Sequence, residues 1–107
     1  AIGVGSLENN TEGSNNISLG ETAGNFTSIG DGSGENTKPT SSIYIGNQTK
    51  PSGSNEENQI VIGHHSLGKG SNSVVLGNDN ITKTVLKGNI TASGNISSSG
   101  DITADTH

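Results

Sequence analysis

Cysteine is absent from the 107 residues, so neither disulfides nor thiolate metal sites are available to support a small domain. Arginine is absent as well. The five lysines, Lys38, Lys50, Lys69, Lys83 and Lys87, are scattered along a chain of formal charge −5. No electropositive footprint for a phosphate backbone results, and nucleic acid is not an expected partner. No apolar run approaches the roughly 20 residues of a membrane span, so no membrane insertion is expected. The aromatics are Phe26 and Tyr44 alone, which supplies a sugar-stacking platform poorly. Large aliphatic side chains are also scarce: Ile, Val, Leu and Phe make 22 of 107 residues, at the edge of the range where disorder becomes the default.

Glycine, asparagine, serine and threonine are abundant instead. Seventeen glycines punctuate the backbone with turns and disfavour helix almost everywhere. Their placement is ordered. Short apolar units end in Gly at Gly3, Gly20, Gly30, Gly46, Gly63 and Gly77, as "AIG", "ISLG", "SIG", "IYIG", "IVIG" and "VVLG". The glycines lie 17, 10, 16, 17 and 14 residues apart. Such recurrence marks stacked repeats in which each unit supplies a strand that cannot bury its apolar side alone. The chain opens inside one of these motifs and is expected to be part of a longer polypeptide.

Alternation within the units sets the expected faces. Ile17 and Leu19, Ile43 and Ile45, Ile60 and Ile62, and Val74 and Leu76 share one side of their strands and are assigned as the inward structural core. Ser18 and Tyr44 point the other way. At Val61 and Val75 that second side becomes apolar too, and a strand apolar on both faces is buried on both. A narrow column has nothing of its own to place there, so Val61 and Val75 are assigned to contact with another copy. Small cores without disulfides commonly rely on oligomerisation, and a threefold axis along the stack is the expected form.

The period changes after Asn80. Gly88, Gly94 and Gly100 recur every six residues, each followed by Asn or Asp and then Ile90, Ile96 or Ile102. One aliphatic per six residues cannot make a core in a single chain, whereas three intertwined chains can layer these isoleucines on an axis. The expected architecture is all-β: a trimeric β-roll or β-helix solenoid over 1–80, then an intertwined trimeric stem over 81–107.

Motifs with chemical potential are few. "GHHSLGKG", Gly63 to Gly70, has the spacing of a phosphate loop, but Gly70 stands where the magnesium-binding hydroxyl belongs and a strand, not a helix, is expected next. "GDGSGE" places Asp31, Ser33 and Glu35 like the start of a calcium loop, but Asn36 replaces its glycine and Ser42 its closing glutamate. His64 and His65 are adjacent, so on a strand they would face opposite ways. One of them, repeated about a threefold axis, is a candidate metal or anion ligand, beside the plainer reading of a solvated turn histidine. Glu56 and Glu57 have no second acid at a defined distance, so glycoside hydrolysis does not follow. Seven Asn-x-Ser/Thr sequons are what this composition produces. No cofactor and no catalytic residue are expected.

"HHSLGKGSNSVVLGND" (His64 to Asp79) resembles the head repeat of YadA-like trimeric autotransporter adhesins. The closing "ITKTVLKGNITASGNISSSGDI" looks like the distal part of bacteriophage tail fibres. The resemblance implies an intimate homotrimer of β-roll or β-helix form on a virion tail fibre or another extracellular surface. The expected role is structural and non-catalytic, in a fibre that attaches to a host-surface glycan or protein receptor and joins other fibre or tail proteins. Two alternatives are the head of a bacterial trimeric adhesin that binds matrix or glycan, and a non-catalytic fragment of a tailspike depolymerase. Replacing Ile96 with Asp is expected to fray the stem or dissociate the assembly while the upper strands stay paired; light scattering with circular dichroism reads both, and unchanged assembly removes Ile96 from the axis.

Overall fold

The computed structural model describes residues 1–27 and 34–103. Among them are four short strands and no helix: β1 (Ile17–Leu19), β2 (Ile43–Ile45), β3 (Gln59–Ile62) and β4 (Ser73–Leu76). The fold is all-β. The strands form one parallel sheet in chain order, β1-β2-β3-β4, so every connection carries the chain back to the same end before the next strand begins. Pairing is in register, with rows Ile17–Ile43–Ile60–Val74, Ser18–Tyr44–Val61–Val75 and Leu19–Ile45–Ile62–Leu76. Ile2 bridges Leu19 in parallel and adds a rung to the last row. The sheet passes directly from β1 to β2; the "SIG" unit and Asp31 and Ser33 of the calcium-like motif lie outside the described residues.

β1, β2 and β3 are each enclosed by two backbone positions of left-handed conformation, and β4 keeps only the one that precedes it. Two residues before Ile17, Ile43, Ile60 and Val74 stand Asn15, Ser41, Asn58 and Asn72, with φ between 50° and 62°. Two residues past the glycines stand Gly5, Thr22, Gln48 and His65, with φ between 50° and 67°. L-residues adopt this region at a cost, and Asn does so most readily. Interlayer hydrogen bonds hold it: the amides of Ser41, Asn58 and Asn72 donate to the carbonyls of Ser14, Thr40 and Glu57, and those of Thr22, Gln48 and His65 to Val4, Glu21 and Asn47, at 2.8–3.1 Å. The glycine between strand and turn is required for a second reason. Gly46 has φ +128°, and a Cβ there would stand 2.6 Å from the carbonyl oxygen of Gly63, directly beneath it.

The turns bend the chain toward the middle residue of each strand, and this sets the interior. Tyr44 and Val61 are fully buried there with Ala23, and Leu7 packs against them. Gly24 lies against the tyrosine ring, where a Cβ would be 2.6 Å from Cδ2. Apart from Pro39 and Pro51, the rest of the interior is largely polar: Ser18, Asn25, Asn36, Ser42, Thr49, Gln59 and Ser66 are buried. Several serve the connections. Ser18 Oγ donates to the Ala23 carbonyl, Ser66 Oγ to that of Gly77, and Asn36 Nδ2 to that of Gly24.

The two faces are therefore exchanged relative to the sequence expectation. Ile17, Leu19, Val74 and Leu76 are exposed and Ile43, Ile45, Ile60 and Ile62 half-buried, all on the outer face of the sheet. They are not the chain's own core. Val61 is fully buried inside the chain and so is no contact for another copy, while Val75, on the same row, is half-buried on the last rung and lines a cleft there. Strand alternation identifies two faces but does not say which is inside, and here the connections need small polar side chains to meet their carbonyls. Beyond Ile81, residues 82–103 form no strand and are exposed, Ile90, Ile96 and Ile102 included.

Two outcomes follow from the corner and the interior. Gly46→Ala should cost about 2 kcal/mol or more, lowering the melting temperature by roughly 8 °C or more, whereas Gly94→Ala, with nothing within 4 Å, should leave it unchanged. Burial pushes the Tyr44 phenol above its ordinary 10.0, with Ser42 and Asn36 pulling the other way. Because the folded state favours the neutral phenol, this contribution is complete below pH about 10 and fades as pH rises through the folded-state value. Ultraviolet titration of this sole tyrosine should show a raised midpoint, and Tyr44→Phe should remove the matching alkaline loss of stability; an ordinary midpoint would contradict the burial.

Candidate interaction surface

The outer face of the sheet carries two aliphatic columns side by side. One runs Ile17–Ile43–Ile60–Val74 and the other Ile2–Leu19–Ile45–Ile62–Leu76. β-branched residues dominate because they suit the pleated surface, and parallel in-register pairing stacks like on like. Adjacent rungs lie about 4.8 Å apart, so five rungs extend over about 20 Å. Exposure is greatest at the two ends, with Ile2 at 70% and Val74 at 62%. A contiguous aliphatic strip of this length is the kind of surface that monomeric proteins rarely leave to water.

A polar margin borders the strip on the glycine side. Asn47 Nδ2 donates to Glu21 Oε2 at 3.1 Å, and Asn78 Nδ2 donates to the His64 carbonyl at 2.7 Å. His64 and His65 sit in this margin, in a turn rather than on a strand, so their rings do not face opposite ways: the centroids are 4.1 Å apart with the planes tilted by 43°. Both are exposed. Among the described residues no three His, Cys, Asp or Glu side chains come together as a metal site. Elsewhere Lys38 meets Glu12 at 2.8 Å and holds its carboxyl below the usual range, but an ion pair this exposed stabilises little.

Residues 63–70, with the phosphate-loop spacing, form a corner and a connection that leads into β4. No helix begins there to aim amides at an anion. A cleft of about 250 Å³ opens beneath this connection, lined by His65, Leu67, Lys69, Val75 and the turn from Gly77 to Asn80. Inside the chain, Asn36 Oδ1, the Tyr44 hydroxyl, Thr49 Oγ1 and the Gln59 amide have no hydrogen-bonding partner of proper geometry among the described residues. The Tyr44 hydroxyl nonetheless lies near Ser42 and Asn36.

Sequence reasoning singled out eight of the nine residues in the outer columns and placed them on a common side. It assigned Ile2 of the "AIG" unit to no face, and it missed the cleft, which no spacing signals. Among the described residues no helix is long and apolar enough to cross a membrane. No family model, curated protein or solved structure is matched by this chain.

Proposed function

We propose that this chain is a non-catalytic segment of an attachment fibre. In this reading successive layers form a β-roll solenoid, three copies meet through their aliphatic columns, and the six-residue repeat continues the axis as an intertwined stem. The observation that carries it is the outward strip of nine aliphatic side chains on a chain whose interior is small and largely polar. Removing the exposed part of these side chains from water contributes on the order of 10 kcal/mol per chain. Association costs a similar amount, so the strip alone is marginal. Six further exposed aliphatics, Ile81, Val85, Leu86, Ile90, Ile96 and Ile102, supply the remainder when the stem winds together.

The biological role follows from that mechanics. A rigid threefold column displays three identical margins at one height, which raises effective concentration at a surface and suits a phage tail fibre that grips a host glycan or protein. Polar, aromatic-poor margins favour contact through hydrogen bonds. Native mass measurement should give three times the 10.7 kDa of one chain, and Ile62→Glu, which puts three carboxylates into the contact, should weaken assembly at least 100-fold. A monomer that unfolds cooperatively at micromolar concentration would overturn the proposal.

A further inference from the structure

The layers end in an irregular way, and that ending leaves one backbone edge open. On the return side of the molecule Lys50 and Leu67 form a parallel bridge. The Lys50 amide donates to the Ser66 carbonyl at 3.0 Å and the Gly68 amide to the Lys50 carbonyl at 2.7 Å. In this pattern one residue bonds the neighbours of its opposite number, so the amide and carbonyl of Leu67 are directed to the next layer. Among the described residues neither has a backbone partner. Leu67 is 43% exposed above the cleft.

The chain's own continuation is diverted before it can reach this edge. In the layers above, the residue two past the corner glycine donates its amide to the layer before it; below His64 the Asn78 side chain takes that bond instead. Asn78 Oδ1 then accepts from the Asn80 amide, and the Ile81 amide donates to the Asn78 carbonyl. Ile81 ends beneath Gly77, where a Cβ would be 2.6 Å from its Cγ1. The turn sends the chain out at the corner.

The segment that follows has the composition of the missing layer. On the return arms Thr49 and Pro51 face inward with Lys50 outward, and Ser66 and Gly68 face inward with Leu67 outward. Thr82-Lys83-Thr84 repeats this small–long–small order, is exposed, and among the described residues takes part in no backbone hydrogen bond. Asp79 in the cleft complements Lys83.

We infer that Thr82-Lys83-Thr84 of a second copy adds in parallel to the open edge at Leu67. The Leu67 amide donates to the Thr82 carbonyl of that copy and the Thr84 amide to the Leu67 carbonyl, while Lys83 continues the outward Lys50–Leu67 column. This rests on the assembly proposed above and gives it a reciprocal backbone exchange, in which each chain closes the last layer of a neighbour.

Engineered cysteines test the exchange in a chain that has none of its own. Opposed residues on neighbouring parallel strands lie within disulfide range, and Leu67 and Lys83 are both exposed. In the full-length chain, Leu67→Cys with Lys83→Cys should oxidise to disulfide-linked dimers and trimers on a non-reducing gel. Leu67→Cys with Thr84→Cys, on opposite faces, should remain uncrosslinked. A trimeric mass with a disulfide confined to one chain, or with none, would overturn the exchange and leave the trimer standing; a monomeric mass would overturn both.

Discussion

Everything in this molecule depends on the pair of left-handed backbone turns about the three-residue cores of β1, β2 and β3. A strand held between such turns has no choice about which way its connections fold: they close toward the middle residue. The middle row thereby becomes interior and the flanking rows exterior. The glycine that precedes the second turn must be bare, because the carbonyl of the next layer occupies the space of its Cβ, as at Gly46 over Gly63. The recurrent apolar–Gly phrase is thus a record of backbone clearance as much as of hydrophobic patterning.

An interior of this size accommodates little. Tyr44 occupies most of one layer and fits because Gly24 offers no side chain; Val61 fills the next. Around them, hydroxyl and amide side chains meet carbonyls that the connections direct inward. Buried polar groups of this kind confer specificity more than net stability, since each bond replaces one made to water. The chain's larger aliphatic side chains are left outside, which is why its free energy of folding and of assembly are coupled in the proposed trimer.

Much of this was legible from residues alone, and the limit is instructive. The repeat, the strand identities of Ile17–Leu19, Ile43–Ile45, Ile60–Ile62 and Val74–Leu76, their stacking and the lack of helix follow from periodicity two and recurrent glycines. The polarity of the faces did not. Period two assigns residues to sides without ranking them, and an aliphatic row looks like a core row until the turns are known. Asn15, Asn58 and Asn72 were the available signal, since Asn before a short apolar run marks a left-handed position. Between Gly20 and Gly46, 26 positions apart, the sheet passes directly from β1 to β2, and the "SIG" phrase read there as a unit lies outside the described residues.

Fourteen residues suffice from Gly63 to Gly77, yet the pairing of β1 with β2 is as true in register as that of β3 with β4. Within the longer connection Phe26 and Glu35 form an antiparallel bridge. Connection length and strand pairing are therefore separable: one layer can hold many more residues than another without shifting the register of the sheet that carries both.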